Sequence, residues 1–148
     1  MPVRVLALDV GSKRIGVAVS DPTGFLARSL TVIERRGLRS DIEMIAKLLR
    51  QEGAERVVVG LPLSLSGDVG PQALVVLEFK EALDKALDVS VETWDERFST
   101  VGAQEALRSQ GVRARKQRGR IDAAAAAVIL QGYLDAQGTH TNAGGEAR

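Results

Sequence analysis

The chain has no cysteine and one histidine, His140, among 148 residues. Without thiols there is no disulfide, no thiolate metal site and no cysteine nucleophile, and a lone histidine leaves neither a His-based metal site nor a Ser-His-Asp triad to build. Aromatic residues make up only 3% of the chain, so base stacking on rows of rings is not the expected basis of any nucleic-acid recognition. No apolar run reaches the roughly 18 residues of a membrane span, and no basic leader precedes an apolar core. These absences predict a soluble, untargeted protein with no membrane partner. Its chemistry must rest on carboxylates, hydroxyls and basic groups.

What is present points to one hydrophobic core. The composition is 45% hydrophobic and 26% charged, and the length suits a single domain over residues 1–137. The small, polar stretch GTHTNAGGEAR that follows predicts a mobile tail over 138–148, which makes His140 a poor ligand. The net charge of +1 is unevenly spread: Arg113, Arg115, Lys116, Arg118 and Arg120 stand together without an acid, so the rest of the chain is net acidic. Such a block can meet phosphate, although a solvated loop would have the same composition.

The elements follow from periodicity and punctuation. Residues 5–21, VLALDVGSKRIGVAVSD, are two apolar strand-like runs around a Gly11-Ser12-Lys13 turn. A third extended run, LARSLTVIE, spans 26–34 after the turn signal at Asp21-Pro22-Thr23-Gly24. Ser40 and Glu43 form a capping-box pattern, Ile42, Ile45, Ala46 and Leu49 share one face, and Gly53 is placed to end that helix. RVVVG at 56–60 reads as a strand, and residues 61–67, LPLSLSG, as a loop whose leucines are either a contact surface or a tucked-in lid. A second helix runs from about Pro71 to Leu87, with Val76, Phe79, Leu83 and Ala86 as its buried stripe. A fifth strand, VSVETW, spans 89–94, and Ser99 or Thr100 can cap a third helix ending near Gly111. A final helix covers about 121–136. The order βββαβαβαα predicts an α/β fold, with a central five-stranded mixed sheet and helices packed on it.

Four acids stand out against this frame. Asp9 lies in a strand apolar enough to be buried on both faces, where an ionised carboxylate is costly unless a cation or a metal pairs with it. Asp95 and Glu96 fall at the C-terminal end of the fifth strand, beside Arg97 as a ready ion-pair partner. Asp122 shares a helix side with Ala125, Ala126, Ile129 and Tyr133, the side that must face the sheet, and it also sits where a helix dipole favours an acid. Each has an ordinary structural explanation alone. Together, Asp9, Glu96 and Asp122 can meet at one edge of the sheet, the edge that ligands of α/β sheets favour. Three carboxylates without histidine make a hard oxygen site suited to Mg²⁺ or Mn²⁺.

In this order, LALDVGSKRIGVAVSD, VVVGLPLSLSG, WDERFST and IDAAAAAVILQGYL resemble the YqgF family, also called RuvX, of bacterial RNase H-like proteins, over about residues 5–134. Two departures, LSLSGDVG after GLP and Phe98 where a leucine is common, leave the acids untouched. The resemblance implies a ribonuclease H-like fold with Asp9, Glu96 and Asp122 matching the family's acidic triad. It also implies a metal-dependent nuclease acting either on Holliday junctions or on the 5′ end of precursor 16S rRNA. In that reading two Mg²⁺ or Mn²⁺ ions, roughly 3.5 to 4 Å apart, would be held by the triad for in-line attack by water. Lys13, Arg14 and Arg97 beside the acids, and the block from Arg113 to Arg120, are the candidate contacts to nucleic acid. Symmetric cutting of a junction would ask for a homodimer, RNA trimming would not. Two rivals remain at this point: a non-catalytic RNA-binding or ribosome-assembly factor, and an actin-like ATP-binding domain suggested by the opening hairpin.

Overall fold

The computed structural model describes residues 3–98 and 118–146, and the side chains of 118–122 and 138–146 lie outside that description. Five strands, β1 (Val5–Val10), β2 (Arg14–Ser20), β3 (Ala27–Glu34), β4 (Arg56–Leu61) and β5 (Ser90–Asp95), form one sheet in the order β3-β2-β1-β4-β5. The first three make an antiparallel meander, with Asp9 opposite Gly16 and Val10 opposite Ile15. β1 then pairs parallel with β4, and β4 parallel with β5. The mixed sheet expected from the element order is therefore present.

β1 is central and buried on both faces, and its alternation defines the two cores. Leu6, Leu8 and Val10 join Val57 and Val59 on one face, against Ile45 and Leu49 of helix α1 (Leu38–Glu52) and Val76, Phe79 and Leu83 of helix α2 (Pro71–Ala86). Val5, Ala7 and Val58 belong to the other face, against Ala126, Ile129, Leu130, Tyr133 and Leu134 of helix α3 (Arg118–Glu146). Alanines on α3 let it approach the sheet closely. Its docking is reinforced by Ser29, whose hydroxyl donates to the Ala123 carbonyl at 3.3 Å, and by Gln131, which bridges the Phe25 carbonyl and the Ala27 amide.

Several local expectations shift. Gly37, not Ser40, is the N-cap of α1, and no side chain caps it. Asp41 serves that end instead: it accepts from the Arg36 amide and the Arg35 Nε, both at 3.1 Å. Gly53 does close the helix, in the left-handed conformation at φ 64° that glycine adopts without strain. Ala86 is exposed and not part of the α2 stripe, which uses Ala73 instead. α3 runs to Glu146, past the stop near residue 136 suggested by its glycines. The expected helix over 99–111 and three members of the basic block, Arg113, Arg115 and Lys116, lie outside the described residues. Among the described residues, no helix is long and apolar enough to cross a membrane.

Candidate metal centre at the strand edge

The C-terminal ends of the parallel strands β1, β4 and β5 lie side by side, and the acids gather there. Leu8 pairs with Val59, which sets Asp9 beside Gly60 one step further along the two strands. Alternation places Asp9 on the face of Val5 and Ala7, and Gly60 on the face of Val58, the side covered by α3. β5 ends at Asp95, and a single 3-10 turn, Glu96–Phe98, folds back over the edge.

Gly60 makes room for that return. A Cβ built on Gly60 would stand 2.5 Å from Ile129 Cδ1 on α3 and 3.2 Å from Glu96 Oε2. Helix, strand and carboxylate thus converge at a point where any side chain would collide. The Glu96 carboxyl is pushed up from the usual carboxylate range to about 7, first by burial, then by the negative charges of Asp9 and Asp95. An acid raised in this way, at a strand mouth and beside a second acid, is the kind of group that marks a functional site.

Asp122 enters in the first turns of α3, on the helix whose Ile129 touches this point. Its side chain is outside the described residues, as are those of Arg118 and Arg120 on the same helix. Among the described residues no group of three or more acids or histidines is arranged to hold a metal. The structure therefore brings Asp9 and Glu96 to one edge and sets the helix bearing Asp122 against it.

The basic candidates divide. Lys13 is exposed on the β1–β2 turn, and Arg14 begins β2 with contacts of its own. That turn is tight: the Gly11 amide donates to the Arg14 carbonyl at 2.8 Å, and a Cβ on Gly11 would meet that same oxygen at 2.8 Å. Arg97 is engaged by Asp95, with Nη2 to Oδ2 at 2.6 Å and Nε to Oδ2 at 2.9 Å, and this ion pair holds the Asp95 carboxyl below the usual carboxylate range.

Sequence reasoning missed Gly60 and Arg35. Arg35 donates to the Gly11 carbonyl at 3.0 Å, pairs with buried Asp41, and lies 5.1 Å above the Phe79 ring, so it buttresses the turn that follows Asp9. The glycine after three valines was a usable signal for close approach. Arg35 had none, because its partners are distant or turn-bound.

The comparisons agree with this architecture. "Putative pre-16S rRNA nuclease" is the name of both the Anaeromyxobacter dehalogenans relative, 48% identical over 133 residues, and the Desulforamulus reducens relative, 45% identical over 133 residues. Each alignment covers 90% of this chain and 97% of the relative. Among solved structures, Thermus thermophilus RuvC in complex with a Holliday junction superposes with a TM-score of 0.59 at 16% identity, covering 92% of this chain and 97% of RuvC. The fowlpox virus resolvase bound to its junction substrate gives 0.55 at 11% identity, covering 91% of this chain and 99% of the resolvase. At such identities the likeness shows the fold, which is that of the RuvC-type, RNase H-like resolvases. The sequence profile of the family described as RuvX, Holliday junction resolvase, matches residues 3–136, and with it the chain belongs to the RuvX family.

Proposed function

We propose that the protein is a divalent-metal-dependent nuclease that hydrolyses phosphodiester bonds in structured nucleic acid, with precursor 16S rRNA as its substrate. The observation that carries this reading is the meeting of Asp9 and Glu96 at the C-terminal edge of parallel strands, under the helix that bears Asp122. The substrate is taken from the names of the relatives that align over nearly their whole length.

The residues present fit a hard divalent cation. The donors are all carboxylate oxygens, as Mg²⁺ and Mn²⁺ prefer. Burial and two negative neighbours hold Glu96 at about 7, so positive charge placed there would relieve what burial and repulsion impose. Asp9, Glu96 and Asp122 would hold the metal, which supplies a water of lowered pKa and neutralises charge on the phosphoryl oxygens. No histidine base is needed for that chemistry.

The chain's own residues do the rest. Glu96, its carboxyl seated over Gly60, would have to be deprotonated to serve as a ligand. Asp9 is fixed by its strand, which neighbours grip on both sides, so its position does not depend on a loop. Lys13 and Arg14 present positive charge on the turn after Asp9, and Arg113, Arg115, Lys116, Arg118 and Arg120 carry a basic stretch into the helix of Asp122. Both groups would hold the phosphate backbone and set register without reading bases.

Junction resolution is the second reading, favoured by the description of the matching family. It would need two active sites and hence a homodimer. The test is cleavage of end-labelled precursor rRNA, single-stranded RNA and four-way DNA junctions by wild type and Asp9→Asn, with Mn²⁺, Mg²⁺ or EDTA. Metal-dependent cutting of precursor rRNA, lost in Asp9→Asn, is expected. Cutting of junctions alone would move the substrate to DNA. Binding of every substrate without cleavage would leave an assembly factor, and ATP hydrolysis alone an actin-like ATPase.

A further inference from the structure

The segment joining β4 to α2, residues 62–70, carries an exposed leucine that the proposed chemistry does not use. Leu65 is 96% exposed. The loop holding it is closed on itself by several hydrogen bonds. The Ser64 amide donates to the Asp68 carbonyl at 3.1 Å, the Gly67 amide to the Ser64 carbonyl at 2.8 Å, and the Asp68 amide to the Ser64 hydroxyl at 3.0 Å. Ser66 donates to the Asp68 carboxylate at 2.8 Å, and Gly67 turns the chain at φ 90°.

The loop is also tied to the acidic edge by one side chain. Arg97 Nη1 donates to the Leu65 carbonyl at 3.3 Å, while Nε and Nη2 are fixed on Asp95. Gly67 lies flat against the guanidinium, where a Cβ would come within 3.3 Å of Nη1. Arg97 follows Glu96 directly, so the same turn that delivers the carboxylate also pins the loop. Val69 in this loop and Phe98 in the turn are exposed as well, at 53% and 64%. Two segments flanking Glu96 therefore present apolar side chains to solvent.

We propose that Arg97 is a positioning residue, oriented by Asp95, that sets Leu65 against an unpaired base of the nucleic acid bound at the Asp9–Glu96 edge. The proposal rests on the nuclease reading for what arrives there. An apolar side chain next to a site that handles phosphodiesters meets base faces and sugars once the backbone is seated. A leucine on a rigid support can wedge beside a base that has left its stack, as apolar wedges do in other nucleic-acid complexes. Phe98 lies beside the same edge and is exposed too, but Leu65 is the side chain whose backbone Arg97 holds. The alternative is that Arg97 leaves Asp95 and grips a phosphate itself.

The two roles separate in a binding experiment on the full-length protein in EDTA, using RNA with an internal single-stranded 2-aminopurine and a blunt duplex of matching sequence. With wild type, 2-aminopurine fluorescence should change on binding the single-stranded probe. Leu65→Ser should abolish that change and weaken binding by about tenfold, while duplex binding and the salt dependence stay as in wild type. Asp95→Asn and Arg97→Gln should behave like Leu65→Ser, because each releases the loop. If Leu65→Ser matches wild type on both probes, the proposal is overturned. It is equally overturned if Arg97→Gln lowers the salt slope by about one phosphate contact while Asp95→Asn leaves affinity intact. Cleavage with Mn²⁺ is scored separately: a protein that cuts but shows no effect of Leu65 loses only this inference, and one that shows the base signal but never cuts loses only the nuclease reading.

Discussion

Glu96 lies over Gly60, its Oε2 3.2 Å from where a Cβ on that glycine would be, with Ile129 of α3 closing the same point from the other side at 2.5 Å. A single absent side chain thus sets the spacing between strand, helix and carboxylate.

Gly60→Ala tests that spacing. The added methyl cannot be accommodated without moving Ile129 or Glu96, so the variant should lose about 1–3 kcal/mol of stability. Cleavage should fall by up to about 100-fold, and it should do so at temperatures where circular dichroism shows the variant still folded. A variant that is destabilised but fully active would show that Glu96 does not need this seat.

The raised Glu96 carboxyl makes stability depend on pH in a stated direction. Its folded value of about 7 exceeds the ordinary 4.5, so the folded state binds the proton more tightly. Its contribution is fully present below pH 4.5 and is lost as pH rises to 7, where the ionised group is held against burial and against Asp9 and Asp95. After allowance for solvent screening this amounts to about 2 kcal/mol. Urea denaturation in EDTA between pH 4.5 and 8.5 should show wild type weakening over that window and Glu96→Gln weakening less, leaving the variant the more stable at pH 8. Equal pH slopes for the two proteins would contradict the assignment.

Added Mn²⁺ should act in the opposite sense. A cation that binds only the folded, ionised site stabilises by mass action, and it competes with the proton on Glu96. Thermal melts should therefore show a larger Mn²⁺-induced rise in Tm at pH 8 than at pH 5.5, with the rise abolished in Asp9→Asn. A rise of equal size at both pH values would place the bound ion elsewhere.

Asp41 offers a test of support away from the acids. Its carboxylate is fully buried against Arg35, at 3.1 Å, and Arg35 in turn holds the Gly11 carbonyl. Asp41→Ala leaves that guanidinium without its partner and should cost about 3 kcal/mol. Asp41→Asn, which keeps one acceptor, should cost less. The urea midpoint of each variant checks the order.

Tyr133→Phe should separate stability from chemistry. The Tyr133 hydroxyl accepts from Arg56 Nη1 and donates to Glu92 Oε2, each at 2.9 Å, at the strand ends opposite Glu96. Losing it should cost about 1 kcal/mol with kcat unchanged. A fall in kcat beyond what unfolding explains would mean that α3 transmits strain along its length.

Much of this was legible because it follows from short-range rules. The apolar run around Asp9 announced a strand buried on both sides, and the helical spacing of Ala126, Ile129 and Tyr133 announced the face of α3 that meets the sheet. The resemblance to a known family named Asp9, Glu96 and Asp122 as a set, of which the structure brings Asp9 and Glu96 to one edge. What was not legible depended on partners far along the chain or on the absence of a side chain. Ser40 and Glu43 fit a capping box, yet Asp41 took over that end of α1 because Arg35 and the Arg36 amide reach it there. Arg97 beside Glu96 suggested phosphate or an ordinary ion pair. Only the folded chain shows the guanidinium spanning from Asp95 to the backbone of Leu65. The continuation of α3 to Glu146 was hidden by Gly138, Gly144 and Gly145, residues that end helices by propensity but can be carried along by one already nucleated.

The strand order has a temporal consequence. Asp9 lies on the first strand and Asp122 on the last helix, and α3 covers the face on which Asp9 and Gly60 lie. During synthesis the N-terminal meander and the first crossovers emerge well before that helix does. Under the proposed function, a partly made chain would hold two of the three carboxylates before α3 covers them, and it would not yet cut. An enzyme made on ribosomes and acting on their RNA precursors would thus stay inert until that helix has emerged and docked.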